Sequence, residues 1–386
     1  MPHSKCAAWL TVVAALTLRA VTAEAQSLFP PPVVHRDSIV ARIADLRRIS
    51  TPEGIDTLQR LDIDGSRQWI SIRGLNRHNP ILLFIHGGPG AAMMGSAWAY
   101  QTPWEDYFTV VHWEQRGVGK NHVDADTSAL APSMSLERMV TDAEAVVAQL
   151  RRQFGREKIV VMGFSFGSEI GLRLIKRRPK WVSAYVGVGQ TSDGKMESYI
   201  YRRVREIAQQ RGDDSTLKAL DALAPYPSVG QETPLQNIIA VRRAARLYNG
   251  GWYGRPDFKL WFALPDWAPE YTAAEVEAFM RGVRWGGEQL AGKTVEVDLK
   301  DIGYEFKVPI IILQGRYDLH TPYEMCRDYF ERLKAPHKRF ITFERSAHYP
   351  MFEESGRFLV TLVNEVLPLT TERAEFRVLP ETRNLK

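Results

Sequence analysis

Apolar and polar residues alternate near Thr57–Asp62 and again near Gln68–Arg73, and alternation of this kind predicts strands with one solvated face. Beyond residue 80 the pattern changes to short unbroken apolar runs: Ile81–Ile85, Thr109–Trp113, Lys158–Met162, Trp181–Val188 and Pro309–Leu313. Runs of this length without polar interruption read as strands buried on both faces. Arg339–Phe343 is a more alternating strand. Helical spacing appears between them, over Asp37–Ile49, Phe166–Lys176, Tyr323–Leu333 and Glu354–Val366. It is clearest in Ser135–Phe154, where Met139, Ala143, Val146, Val147 and Leu150 share one face. Strands alternating with helices predict an α/β protein with a mostly parallel sheet flanked by helices. Such sheets carry their chemistry at the carboxyl ends of the strands.

Two stretches break this rhythm. Residues 190–300 read as helical and aromatic-rich, with Tyr248, Trp252, Tyr253, Trp261, Phe262, Trp267 and Trp285, and we take them as an inserted helical cap. The core is then in two parts, 26–189 and 301–386. The first 25 residues are different again. Lys5 is followed by the 13-residue apolar stretch Cys6–Leu18 and by Ala23-Glu24-Ala25, a small-x-small cleavage pattern. This reads as a secretory signal peptide cut after Ala25, with a periplasmic or secreted mature chain. The stretch is too short for a stable membrane anchor. Cleavage also removes Cys6 and leaves Cys326 alone, so no internal disulfide is available and the fold depends on its core.

Composition narrows the partners. The chain has 386 residues, 45% of them hydrophobic and 25% charged, with a formal net charge of +5. The basic residues come as scattered pairs (Arg47-Arg48, Arg151-Arg152, Arg177-Arg178, Arg242-Arg243) not interleaved with aromatics, which is the pattern of a solvated surface and not of a nucleic-acid face. No pair of His or Cys has metal-ligand spacing, and no cofactor is expected. Nothing in the pattern selects an oligomeric state.

The strand ends hold the candidate chemistry. Gly163-Phe-Ser165-Phe-Gly167 lies directly between an apolar strand and a helix, the context in which a strained turn presents a nucleophilic serine. Glycines at 163 and 167 clear space for that turn, and Gly167 and Gly171 let the helix approach the sheet. The serine needs a base, and the base an orienting acid. Asp318 and His348 each follow a later strand by four or five residues, on the same sheet edge as Ser165. His320 lies close in sequence to the proposed acid, His337 precedes its strand on the opposite edge, and Asp328 falls inside a helix. An oxyanion needs two backbone N–H groups. Phe166 supplies one, and His86-Gly-Gly-Pro-Gly90 the other; Pro89 has no N–H, so Gly88 is the donor of choice, with Gly87 next.

Taken in order, His86-Gly-Gly-Pro-Gly90, Glu114-Gln-Arg-Gly-Val-Gly119, Gly163-Phe-Ser-Phe-Gly-Ser168, Gly315-Arg-Tyr-Asp318 and Ser346-Ala-His348 resemble the α/β-hydrolase fold, and within it the prolyl iminopeptidase family. The resemblance covers roughly residues 55–190 and 300–365. It implies a Ser165–His348–Asp318 triad, an oxyanion hole at the Gly88 loop, and hydrolysis of a small peptide or ester through an acyl-enzyme. The family usually has Asp where this chain has Glu114 and Trp where it has Phe166. It also implies a cap carboxylate for the substrate's free N-terminus. Trp261–Trp267 holds no glutamate, so Glu197, Asp266 and Glu270 are the acids considered, with Glu197, Trp261 and Trp267 as the substrate-binding set. The expected activity is that of an exported aminopeptidase. A carboxylesterase would use the same triad, and a non-catalytic binding protein would not need it intact.

Overall fold

A computed structural model describes residues 35–192, 195–294 and 299–370. The expected signal peptide lies outside the described residues. Residues 35–42 open a helix, α1 (Arg36–Leu46), none of whose residues is buried. From Ile43 onward the chain is one compact unit built on a single eight-stranded sheet.

The strands are β1 (Ile55–Ile63), β2 (Ser66–Gly74), β3 (Ile81–Ile85), β4 (Thr109–Trp113), β5 (Ile159–Phe164), β6 (Val182–Val188), β7 (Ile310–Gly315) and β8 (Lys338–Phe343). Their order is β1-β2-β4-β3-β5-β6-β7-β8, antiparallel at β1/β2 and β2/β4 and parallel from β4 to β8. The unbroken apolar runs are the parallel strands, as expected for strands covered on both sides. Successive residues point to opposite faces, and the two cores divide accordingly. Ile81, Leu83, Ile85, Val161, Ile310 and Ile312 join one core, while Leu82, Phe84, Val160, Met162, Ile311 and Leu313 join the other.

Helix α2 (Leu136–Phe154) packs its Met139–Leu150 stripe into the first core. Ser135 caps it, its hydroxyl accepting from the Arg138 N–H at 3.1 Å, and Gly155 ends it at φ +61°. Helix α3 (Phe166–Arg177) begins on the residue after Ser165. Between β6 and β7 the described chain adds no strand to the sheet. It contains α4 (Met196–Arg211), α5 (Asp214–Asp221), α6 (Leu235–Leu247) and α7 (Ala273–Thr294). Part of this segment has its own small core around Ile200, Val204, Leu220 and Val241. Helix α8 (Tyr323–Arg332) lies between β7 and β8 and buries Cys326. The helix expected over Glu354–Val366 differs in detail. A turn at Pro350–Glu353 precedes α9 (Ser355–Thr361), and Leu362–Val366 widens to π geometry. Pro350 accounts for the early start, since proline suits a first helical turn.

Strand order places the site. The chain runs from β3 outward to β4, then crosses back to β5 on the other side of β3. The carboxyl ends of β3 and β5 therefore flank a topological switch point, where open α/β sheets form their crevice.

Candidate active site

Ser165 sits at that crevice with φ +53° and ψ −128°, a backbone state that costs an ordinary residue about 1–3 kcal/mol. The turn is held by the Ser165 N–H, which donates to the Val188 carbonyl at 2.9 Å, and by the Ser168 N–H, which donates to the Ser165 carbonyl at 2.8 Å. Glycine clearance is needed as the pattern predicts. A Cβ on Gly163 would lie 2.6 Å from the Gly167 carbonyl oxygen, and one on Gly167 would overlap the Ile85 carbonyl oxygen. A Cβ on Gly171 would lie 2.7 Å from the Tyr185 ring, so α3 rests directly on β3 and β6.

The Gly88 loop approaches the turn from β3. A Cβ on Gly87 would lie 2.6 Å from the Ser165 Cβ, and Gly88 itself has φ +115°, which favours glycine. Gly88 and Phe166 both border the same cavity as Ser165, and among the described residues neither N–H donates to another group. His86 steadies this loop without facing the cavity. Its Nε2 accepts from the Gln115 N–H at 3.2 Å, which leaves the proton on Nδ1 to donate to the Gly87 carbonyl at 3.0 Å. Burial pushes its pKa down to about 4, so the ring is neutral at pH 7.

Asp318 and His348 meet over the ends of β7 and β8. His348 Nδ1 lies 2.8 Å from Asp318 Oδ2, and both side chains are buried. Five donors converge on the Asp318 carboxylate. Oδ2 accepts from His348 Nδ1, Gln314 Nε2 (3.0 Å) and the Thr321 hydroxyl (2.8 Å), and Oδ1 from the His320 and Thr321 N–H groups (2.7 and 2.9 Å). Such a carboxylate is held in one orientation and turns the His348 ring with it. The His348 loop is tied from below by Glu353, whose carboxylate accepts from the N–H groups of Ala347 (3.1 Å) and Tyr349 (2.9 Å) on either side of it. Gly189 completes the seat, because a Cβ there would be 2.9 Å from the imidazole.

The cavity over Ser165 measures about 610 Å³ and is bordered on the His348 side by His320, Thr321 and Tyr349. Of the cap residues expected to bind substrate, Glu197 and Trp261 border it. Glu197 is already engaged: it accepts from the Tyr226 hydroxyl at 2.5 Å and pairs with Arg242. Trp267 does not border the cavity, which corrects the expectation; its ring packs edge-on against Trp98. Glu270 is buried in an ion pair with Arg47 at 2.7 Å, and Asp266 is exposed away from the cavity.

Several bordering residues lie outside the expected site set. Glu169 lies one helical turn beyond Ser165, and that spacing could have revealed it. Its pKa is raised to about 7 by burial, and its partner Arg173 is 3.4 Å away and also paired with Asp301. His320, set aside as a base, has its ring centroid 5.0 Å from that of His348. Burial beside His348 keeps it uncharged, its pKa pushed well down. Arg246 and Phe258 come from the helical segment, where no local pattern marks them.

The family model described as alpha/beta hydrolase fold matches residues 80–355. A probable aminopeptidase, YbaC of Bacillus subtilis (strain 168), is 31% identical over 81% of this chain and 97% of its own. A proline iminopeptidase of Clostridioides difficile (strain 630) is 23% identical over 73% and 87%. Among solved structures, a proline iminopeptidase-related protein from Thermus thermophilus superposes with a TM-score of 0.55 at 19% identity, covering 82% of this chain and 99% of that one. Sheet order and family match agree, and the chain belongs to the alpha/beta hydrolase fold family as a hydrolase with aminopeptidase-named relatives.

Proposed function

We propose that the protein is a serine hydrolase of aminopeptidase type, acting on short peptides through an acyl-enzyme. The observation that carries this reading is the strained Ser165 turn at one cavity, with the buried His348–Asp318 pair packed beside it against Phe164 and Gly189. Ser165 Oγ attacks the scissile carbonyl while His348 Nε2 takes its proton. Asp318 orients the imidazole and stabilises its cation. The Phe166 and Gly88 N–H groups hold the oxyanion, at the positive end of α3. His348 then returns the proton to the leaving amine, and water attacks the acyl-enzyme by the same route.

An aminopeptidase must also hold a cationic α-amine. Glu197 is occupied by Arg242 and Tyr226, so we assign this role to Glu169, whose carboxylate has only a long contact to Arg173. Relatives named aminopeptidase and proline iminopeptidase support the class of substrate. The apolar wall of Leu235, Ile238, Ile239 and Val283 favours a second reading, a carboxylesterase with the same triad. Export, with cleavage after Ala25, is part of the proposal, and sequencing the mature N-terminus tests it.

The deciding assay pairs proline arylamide with short aryl esters. The aminopeptidase reading expects arylamide turnover, reduced at least tenfold in Glu169→Gln relative to the ester. Ester turnover with no arylamide turnover would overturn it in favour of the esterase.

A further inference from the structure

Three arginines border the cavity, and two have acidic partners. Arg242 pairs with Glu197 and donates to the His320 carbonyl at 2.6 Å, and Arg284 pairs with Glu288 at 2.7 Å. Arg246, in the last turn of α6, has no acidic partner among the described residues. Its guanidinium lies 5.0 Å from the centre of the Phe258 ring, which stacks on His320 at 6.0 Å and meets Trp261 edge-on at 6.5 Å. Gly251 makes room for this group: a Cβ there would lie 2.7 Å from Arg246 Cγ, 2.8 Å from Phe258 and 3.1 Å from His320 Nε2. Burial and the neighbouring Arg243 and Arg242 cations lower the Arg246 pKa, as befits a cation without a counter-ion. A second donor is also unmatched. The Trp261 indole N–H is buried with no acceptor among the described residues, although its residue borders the same cavity. Native proteins rarely leave such a group unpaired.

The position of this cluster gives it a meaning. The Gly251 carbonyl accepts the His348 N–H at 3.2 Å, and His320 lies against the His348 ring. Arg246 thus stands on the histidine side of the nucleophile, where the leaving group collects its proton. Glu169 stands on α3, on the acyl side. We propose that Arg246 binds the free C-terminal carboxylate of a short peptide, so that the substrates are dipeptides and other very short peptides with both termini unblocked. The inference rests on the aminopeptidase reading and deepens it. A guanidinium suits a planar carboxylate, and the Phe258 face and Trp261 N–H complete a site that a C-terminal amide or ester would fit poorly.

The test is calorimetric binding of prolyl-alanine and its C-terminal amide to Ser165→Ala, which removes turnover. The amide is expected to bind at least tenfold more weakly than the free acid. In Ser165→Ala/Arg246→Met the two should bind alike, and Arg246→Lys should restore part of the preference. Equal affinities for acid and amide in Ser165→Ala, or binding of neither, overturn the proposal. Wild-type turnover of proline arylamide, which has no carboxylate, reports on the aminopeptidase reading separately, so either can fail alone.

Discussion

The sheet edge and the helical segment above it contribute different things to one cavity. At the edge, glycine backbone is closely approached: Gly167 by the Ile85 carbonyl, Gly87 by the Ser165 Cβ, and Gly189 by the His348 ring. Each group there lies at or just beyond a strand end. The helical segment instead presents side chains: Arg246 from α6, and Phe258 and Trp261, which pack into the second main core. On the proposed function, the groups assigned to the reaction sit at positions with no steric latitude, while those assigned to substrate binding are side chains that can change independently.

Four experiments probe that contrast. The largest effect is expected at the edge. Asp318→Asn keeps the shape but replaces an all-acceptor group with one that also donates, and should lower kcat by about 10³–10⁴-fold. Glu197→Gln, its counterpart in the helical segment, should cost less than tenfold, and steady-state kinetics compares them. If the two cost the same, the contrast fails.

Stability should divide in the same way. Gly167→Ala forces a methyl into the Ile85 carbonyl and should cost about 3 kcal/mol or more. Gly287→Ala, on α7, meets only Leu235 methyls at 3.3 Å or beyond, and its helix-propensity gain of about 1 kcal/mol should leave the protein within ~1 kcal/mol of wild type. Denaturant melts measure both.

A smaller effect links the two regions through pH. The ratio of arylamide to ester kcat/KM should rise as pH passes about 7, where Glu169 ionises, and fall above the ~8 at which a substrate α-amine loses its proton. A ratio independent of pH would remove Glu169 from amine binding.

The smallest effect concerns Glu114, a buried carboxylate after β4 that accepts from the Tyr271 hydroxyl and from the Lys120 N–H at 2.5 Å. Burial raises its pKa to about 7. The folded state then holds a proton that the unfolded chain releases near 4.5, so this contribution is complete at low pH and is lost as pH rises from about 4.5 to 7. Melts at about pH 5 and pH 8 should show wild type losing on the order of 2 kcal/mol relative to Glu114→Gln. A constant difference would contradict the assignment.

Legibility in the sequence follows the same division. The strands were readable because parallel strands are apolar throughout, and the strand-end positions of Ser165, Asp318, His348 and Gly88 because those apolar runs have clear ends. Glu169 was within reach, one turn from the serine. Trp267 was misplaced and Arg246 and Phe258 overlooked for one reason. In a helical segment a tryptophan packs as readily against Trp98 as into a cavity, and only the tertiary fold decides which. Glu353 was hidden because its work is to accept backbone N–H groups, which leaves no motif.

The proposed nucleophile is Ser165. Wild-type protein treated with a fluorophosphonate, digested and sequenced by mass spectrometry, should carry one label, on Ser165, and Ser165→Ala should carry none. Labelling of Ser165→Ala to the wild-type extent, or a label on any other residue, would contradict the account.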